Sequence, residues 1–229
     1  MVHSVSMTWS LLDERGQRKY LVRSERAAFV REAEEIGGAV GTFCLTLAFT
    51  GARISEVLAL SAERIDEVGG VLILETLKRR ARGVYRMVPV PPLIFERLEV
   101  VHGFHAAQKD AALSTNRLWP WSRPTAWKHV KDVMAAGGIS GSAAKPKGLR
   151  HAFGVGAVQN RIALSLIQKW LGHARIDTTA HYTTPVGDEE RALAKLVWDD
   201  LLPATNPSRL SSSHAPKNQR LNRKPRSAA

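Results

Sequence analysis

Five residues spread over most of the chain could together perform chemistry on a phosphodiester: Arg53, Lys78, Arg150, His173 and Tyr182. A phosphodiester gains negative charge on its non-bridging oxygens when a nucleophile attacks the phosphorus, so a catalyst needs fixed positive donors that face those oxygens. Arginine is suited to this task because its guanidinium is permanently charged and can bind two oxygens at once. The phenol of Tyr182 is the candidate nucleophile. Its ordinary pKa of about 10 means that nearby cations or a base must assist it.

The segments around these residues indicate how each one could act. Arg53 lies in TGARISEVLAL near a predicted helix start, and Glu56, three residues later, could hold its guanidinium in place. Lys78 lies near the end of the first predicted strand, beside a basic turn, and could protonate the oxygen that leaves the phosphorus. His173 precedes Tyr182 by nine residues in KWLGHARIDTTAHYTTP, so a loop and a short helix could present both side chains to one phosphate.

Each of these residues alone also has an ordinary explanation. Arg53 could be a surface residue paired with Glu56, and His173 could cap a helix C-terminus. Tyr182 could be a core aromatic residue. Arg150 could be a solvated residue in the first turn of a helix, and Lys78 could be a solvated member of a charged run. That run is also expected to contact the DNA backbone, because phosphate contacts need charge more than a particular geometry. The other basic residues of this run are Arg79, Arg80 and Arg82. The interpretation as a phosphoryl-transfer site therefore depends on the five residues occurring together and in this order.

Hydrophobic spacing predicts a mainly α-helical domain with one small antiparallel β-sheet or hairpin. Residues 71–75 and 84–90 are rich in branched side chains and flank the basic segment KRRARG, which predicts two strands. Gly51 is expected to end a helix, because glycine readily adopts the left-handed conformation. The predicted helices are 24–36, 40–49, 53–60, 93–108, 124–136, 149–160, 164–171 and 189–202.

One domain with two flanking segments is expected from length and composition. The 229 residues, 44% of them hydrophobic, suffice for one sizeable core. Residues 1–19 are polar with little periodicity and are expected to be a flexible lead-in to a domain over residues 20–202. The tail, residues 203–229, has six basic and no acidic residues and is expected to be disordered.

The charge balance favours a polyanionic partner. Lys and Arg number 33 against 21 acidic residues, giving a net charge of +12, which is typical of proteins that bind nucleic acid. The single cysteine, Cys44, lies in an apolar run and is interpreted as a core residue. No apolar stretch reaches the roughly 18 residues that span a bilayer, and the N-terminus lacks the pattern of a secretory signal. We therefore expect a soluble, cytoplasmic protein associated with DNA, with no membrane partner.

At the five residues and their surrounding motifs, the chain resembles the tyrosine recombinase (phage integrase) family and its DNA breaking-rejoining fold. The resemblance implies that Arg53, Arg150 in GLRHAF and His173 in LGH bind the scissile phosphate. It also implies that Lys78 is the general acid and that Tyr182 attacks, giving a 3′-phosphotyrosine and a free 5′-hydroxyl. It implies no metal and no cofactor, because the energy of the ester is kept in the protein–DNA link.

The resemblance covers residues 20–202 and extends to partners. It implies that the chain acts on double-stranded DNA and assembles on paired sites as a homotetramer, with accessory DNA-binding proteins as possible further partners. In the family a C-terminal helix docks on the neighbouring subunit, and the apolar stripe of residues 189–202 could do this or could pack on its own domain. Family members commonly carry an additional N-terminal helical domain that closes around the DNA, and residues 1–19 are too short to replace it.

One position departs from the family pattern. The family usually has a histidine three residues before the second arginine, where this chain has Lys147. Lysine keeps a positive donor for the phosphate but holds its proton at pH 7, so it cannot share the histidine's acid and base duty. We expect reduced activity or a shifted pH optimum. His151 and His181 lie nearby but not at that position, and they are interpreted as structural or surface residues.

The leading hypothesis is a site-specific recombinase that integrates, excises or resolves a mobile element or plasmid. A type IB topoisomerase-like nicking and closing enzyme would use the same chemistry without joining two DNA sites. A DNA-binding protein that has lost efficient catalysis is a third hypothesis, which Lys147 favours and Tyr182 opposes. A metal-dependent nuclease is disfavoured because the acidic residues form no close cluster for a two-ion site.

Overall fold

One small sheet separates an earlier and a later group of helices along the chain. The computed structural model describes residues 11–77, 83–174, 177–180 and 182. Its elements, in order, are α1 (Arg23–Ile36), α2 (Gly38–Thr50), α3 (Ile54–Leu58), β1 (Ile65–Asp66), β2 (Val71–Glu75), β3 (Tyr85–Pro89), α4 (Pro92–His102), α5 (Phe104–Gln108), α6 (Ala111–Ser114), α7 (Arg123–Ala136), α8 (Pro146–Gln159), α9 (Leu164–Leu171) and α10 (Asp177–Ala180). The predicted class, mainly helical with a small antiparallel sheet, is confirmed. Within the described ranges, no helix has both the length and the apolar character needed to cross a membrane.

The apolar helix α2 lies at the centre of the packing. It contacts α1, α4 and α8 and buries most of its side chains, including Cys44, as predicted. Its threonine hydroxyls donate to carbonyls one turn earlier, which satisfies them away from water. Phe43 packs edge-on against the fully buried Trp119, with ring centroids 5.2 Å apart. The helix ends at Gly51, whose φ of 60° is the left-handed conformation expected there.

The sheet has the strand order β1-β2-β3, and both pairs are antiparallel. The hairpin of β2 and β3 is confirmed, with Leu72 opposite Val88, whereas the short strand β1 was not predicted. In β3, Arg86 and Val88 face the core, while Tyr85 and Met87 are about half exposed. A charged side chain therefore occupies a position on the buried face of the sheet.

Several predicted boundaries were wrong. The helix predicted over 93–108 is two helices, because Gly103 adopts a left-handed φ of 58° between them. The helix predicted over 149–160 begins earlier, with a proline in its first turn, where the missing N–H costs nothing. The predicted helix 53–60 shortens to α3, and the predicted helix 189–202 lies outside the described residues.

The described part of the predicted lead-in, residues 11–19, forms a turn that contacts the domain. Arg18 forms an ion pair with Glu25, with an Nη2 to Oε1 distance of 2.7 Å, and Ser142 donates a hydrogen bond to the Arg18 carbonyl. Leu11 and Tyr20, on either side of this turn, are buried. The expectations for residues 1–10 and for the tail fall outside the described residues and stay predictions.

Candidate functional site

A pocket of about 440 Å³ lies between α3, α7, the first turns of α8 and the residues that follow α9. Among the described residues that line it, five are basic and none is acidic: Arg53, Arg123, Lys145, Lys147 and Arg150. His151, His173 and Tyr182 complete the polar part of its lining. The pocket therefore brings together five of the six predicted catalytic residues, and its charge favours an anion.

Four of the other predicted site residues are not among the described residues. Lys78, Arg79, Arg80 and Arg82 belong to the connection between β2 and β3, outside the described residues. Their roles stay predictions.

Glu56 holds Arg53 in two ways. One carboxylate oxygen accepts a hydrogen bond from the Arg53 amide across 2.9 Å, and the other accepts one from Arg53 Nη1 across 2.7 Å. Arg53 is the residue that caps the N-terminus of α3, so this contact fixes both the helix start and the guanidinium. The Glu56 side chain is completely buried, which excludes the alternative of an ordinary surface ion pair.

Arg86, which was not among the predicted site residues, also binds the Glu56 carboxylate. Arg86 on β3 donates to Glu56 Oε2 across 2.7 Å, to the Trp170 carbonyl across 2.7 Å and to Thr76 Oγ1 across 3.0 Å. Burial acts to raise the pKa of Glu56, but the Arg86 charge and the Arg53 amide outweigh it, so the pKa is lowered and the carboxylate stays ionised. Arg86 thus connects the sheet to α3 and to the end of α9.

Arg150 on α8 lies at the ends of two other helices. Its Nη1 donates to the Gly51 carbonyl across 2.9 Å, and its Nη2 donates to the Leu171 carbonyl across 2.7 Å. A cation is favourable at these positions because helix C-termini carry partial negative charge. Burial, and secondly the charge of Arg53, lower the pKa of Arg150 to about 10, which leaves it charged at pH 7.

His173 follows the left-handed Gly172 that ends α9. Its backbone amide donates to the Gln168 carbonyl across 3.1 Å, and its Nδ1 shares a hydrogen bond with Thr179 Oγ1 across 2.9 Å. The turn after α9 and the short helix α10 therefore orient the ring. Burial, followed by the charge of Arg150, lowers the pKa of His173 to about 3, so the imidazole is neutral at pH 7.

Tyr182 is almost fully buried between two histidines. Its ring stacks on His173 with centroids 6.0 Å apart and meets His151 edge-on with centroids 5.8 Å apart. It also packs on Gly154, where an added Cβ would lie 2.6 Å from the ring. Burial raises the pKa of the phenol, while Arg150 and Arg53 act in the opposite direction, so the hydroxyl keeps its proton at neutral pH.

His151 is a pocket residue, so the surface alternative in its sequence interpretation was wrong. Only 6% of it is exposed, and both ring nitrogens are buried without a hydrogen-bond partner among the described residues. Its position in the sequence could have indicated the pocket, because it follows Arg150 directly and lies one helical turn after Lys147. Arg123, Trp127 and Lys145 also line the pocket and were not predicted there.

Comparison with protein families gives one match over most of the chain. The model of the phage integrase family matches residues 31–187. The chain is 32% identical over 141 residues to a protein named tyrosine recombinase XerD from Mycobacterium tuberculosis, covering 58% of this chain and 44% of that relative. It is 30% identical to the XerD of Staphylococcus saprophyticus over 58% of this chain and 46% of that relative. The chain thus spans about half the length of the curated relatives it matches.

Comparison with solved structures supports the fold. The crystal structure of XerA recombinase superimposes with a TM-score of 0.64 at 22% identity, covering 78% of this chain and 62% of that one. The XerH site-specific recombinase bound to its difH substrate, in a pre-cleavage complex, gives a TM-score of 0.58 at 20% identity, covering 82% of this chain and 59% of that one. At these identities the likeness shows a shared fold.

Proposed function

The chain belongs to the phage integrase family, and from this membership we propose that it is a site-specific DNA recombinase that cleaves and rejoins strands through a covalent 3′-phosphotyrosine. Residues 20–202 form the catalytic domain in this proposal. The reaction integrates, excises or resolves a mobile element or plasmid.

One observation carries the proposal: Tyr182 shares a single pocket with Arg53 and Arg150, although the three are far apart in the chain. A phenol among fixed guanidinium groups is suited to attack on a phosphodiester, because the guanidiniums stabilise the charge that develops on the non-bridging oxygens. The absence of acidic side chains among the described lining residues removes a source of repulsion for the phosphate.

Each pocket residue has a role in the proposed reaction. Arg53, Arg150 and Lys147 bind the non-bridging oxygens, and the guanidinium of Arg150 has five donors, so its two carbonyl contacts are compatible with phosphate binding. Neutral His173 donates a further hydrogen bond to the phosphate. Tyr182 Oη then attacks the phosphorus and forms the protein–DNA link.

Lys78 supplies the proton that the leaving 5′-oxygen needs. An alkoxide is a poor leaving group, so protonation as the P–O bond breaks lowers the barrier. The link preserves the energy of the ester, and attack by a 5′-hydroxyl reverses the reaction. No cofactor takes part in this sequence of steps.

Double-stranded DNA is the substrate, and a homotetramer on paired sites is the active assembly, with accessory DNA-binding proteins as possible helpers. The similar XerH recombinase is bound to its difH substrate in the superimposed structure, which supports DNA as the partner. The basic residues Arg79, Arg80 and Arg82 contact the DNA backbone, and the protein resides with the DNA in the cytoplasm.

A second candidate is a DNA-binding protein with weak catalysis. The observation that favours it is Lys147, which lines the pocket where the family usually has histidine. Nicking and closing without joining two sites, as in type IB topoisomerases, would use the same pocket.

A covalent-capture assay tests the proposal. The protein is incubated with a pool of duplexes that have a randomised core sequence and a nick that lets the cleaved fragment diffuse away. Protein–DNA adducts that resist SDS are recovered and sequenced, and the enriched duplex becomes the substrate for wild type and Tyr182→Phe. We expect an adduct with wild type and none with Tyr182→Phe.

Two results would contradict the proposal. An adduct that survives Tyr182→Phe would remove Tyr182 as the nucleophile. Sequence-specific DNA binding by wild type without any adduct would favour the DNA-binding protein.

A further inference from the structure

His151 is a buried imidazole to which the proposed reaction assigns no task. Neither of its ring nitrogens has a hydrogen-bond partner within the described part of the chain, and both are shielded from solvent. Leaving a polar atom unsatisfied in a protein interior destabilises the fold. Buried polar groups are usually paired, so an exception within a reactive pocket calls for a functional explanation.

We propose that His151 is the proton acceptor for the Tyr182 hydroxyl during strand cleavage. This inference rests on the proposed function and adds the residue that activates its nucleophile. The two rings are already in edge-on contact, with centroids 5.8 Å apart, and both line the pocket of Arg53 and Arg150. Proton transfer then requires a side-chain adjustment that places a ring nitrogen of His151 within hydrogen-bond distance of Tyr182 Oη, because neither nitrogen has a partner among the described residues.

The other groups near Tyr182 are less suited to accept its proton. His173 also contacts the phenol ring, but its Nδ1 already shares a hydrogen bond with Thr179. Lys147 belongs to a residue type whose ammonium group offers hydrogen-bond donors and no acceptor. His151 lies four residues after Lys147 on α8, which places both on the same face of the helix. His151 can therefore supply an imidazole beside Lys147, the position where the family usually has histidine.

The charge state of His151 agrees with this task. Burial, followed by the charges of Lys147 and Arg150, lowers the pKa of His151 to about 3, so the ring is neutral at pH 7 and has one nitrogen able to accept a proton. A phosphate bound between those cations offsets part of their repulsion and makes the ring a stronger base than in the free protein.

The step balances without any further reactant. The Oη–H bond of Tyr182 breaks and its proton moves to His151, while the Oη–P bond forms. The bond from phosphorus to the 5′-oxygen breaks, and that oxygen takes its proton from Lys78. When the 5′-hydroxyl attacks in the reverse direction, His151 returns the proton to Tyr182 and Lys78 recovers its own.

Single-turnover cleavage of the captured duplex tests the inference. His151→Phe preserves a ring and fills the site, while His151→Ala leaves a space that added imidazole can enter. Each variant is measured on the ordinary duplex and on one with sulfur in place of the bridging 5′-oxygen. A thiolate leaves without being protonated because the pKa of a thiol is near 8.5, so this substrate bypasses the general acid but not the base.

We expect both His151 variants to bind the duplex as wild type does and to cleave both substrates about 10²–10⁴-fold more slowly. Imidazole should accelerate His151→Ala but not His151→Phe. Lys78→Ala provides the contrast: it should be slow on the ordinary duplex and recover on the sulfur substrate. If the role of His151 were purely structural, added imidazole would not accelerate His151→Ala. The His151 variants and Lys78→Ala would then also not differ in their response to the sulfur substrate.

Cleavage by folded His151→Phe or His151→Ala at the wild-type rate would overturn the inference, as would recovery of either variant on the sulfur substrate. The proposed function fails separately, through an adduct that survives Tyr182→Phe. Loss of cleavage in Tyr182→Phe together with full activity in His151→Phe would reject only the role of His151.

Discussion

Arg86 donates a hydrogen bond to Glu56 across 2.7 Å, and both side chains are almost completely buried. The same carboxylate holds Arg53 at the edge of the pocket. Arg53 is therefore positioned by a second arginine that lies on the sheet and is not among the described residues lining the pocket. Because Arg86 also binds the carbonyl of Trp170, it connects this pair to the helix that precedes His173.

Glu56→Gln should destabilise the domain by about 3–5 kcal/mol, because it leaves the Arg86 charge buried without its ionic partner. The free energy of unfolding in urea measures this loss. Glu63→Gln is the control: its pair with Arg64 is 3.5 Å long and partly exposed, so its removal should change stability by no more than about 0.5 kcal/mol. Equal losses in the free energy of unfolding would show that the buried pair of Glu56 and Arg86 stabilises the domain no more than a surface ion pair does.

Gly154→Ala should impair cleavage while leaving DNA binding close to that of wild type. The new Cβ would lie 2.6 Å from the Tyr182 ring, closer than such contacts occur, so the phenol must move away from its two histidines. Adduct formation by the captured duplex and its binding affinity measure the two effects. Gly156→Ala on the same helix is the control, because its Cβ would meet the end of the Arg26 side chain instead. Normal cleavage by Gly154→Ala would mean that the observed packing of Tyr182 is not the reactive one.

Sequence patterns predicted the hairpin and most helices, because each of these elements has one apolar face that packs on the core. The patterns were less informative where a charged side chain is buried in the core. On β3, Arg86 alternates in register with Val88 and, just beyond the strand, Val90 on the buried face, although a charged residue would be expected at the surface. It can occupy that face because Glu56 and two further oxygen acceptors bind its guanidinium. Those partners are distant in the chain, so no local pattern could reveal them. The residue types and their order along the chain predicted that the pocket residues converge. The role of His151 could not be predicted in the same way, because the stretch GLRHAF does not show that its histidine lies against Tyr182.

His151 should make the stability of the domain dependent on pH below neutrality. Its pKa is about 3 in the folded protein, against about 6.5 when unfolded, so between these values the unfolded state binds more protons and stability falls as the pH falls. From pH 7 to pH 5 this contributes a loss of about 2 kcal/mol. Urea unfolding at both values should therefore show about 2 kcal/mol less pH sensitivity in His151→Phe than in wild type. The same pH dependence in both proteins would contradict the neutral, buried state of this imidazole.

Lys147→His should preserve or increase the cleavage rate, because it keeps a hydrogen-bond donor for the phosphate and adds a group able to exchange protons. The measurement is single-turnover cleavage of the captured duplex. Lys128→His, at an exposed position of α7 paired with Asp132, is the control and should not change the rate. A complete loss of cleavage in folded Lys147→His would show that the lysine itself is required.

Replacing Arg79, Arg80 and Arg82 by alanine should weaken DNA binding similarly for all sequences. Each lost phosphate contact should reduce the slope of log affinity against log salt concentration by about 0.9. Binding titrations at several salt concentrations measure this slope. Arg97→Ala removes one charge that is already paired with Glu34 and should leave the slope unchanged. An unaltered slope in the triple variant would place the basic run away from the DNA backbone.

Peptide mapping of the covalent adduct tests most directly whether Tyr182 forms the link to DNA within a pocket of cations. The trapped adduct is digested with nuclease and protease, and fragmentation mass spectrometry locates the remaining nucleotide. We predict a nucleotide joined through its 3′-phosphate to Tyr182, with a free 5′-hydroxyl on the released strand. A nucleotide on any other side chain, or a link through a 5′-phosphate, would contradict the account.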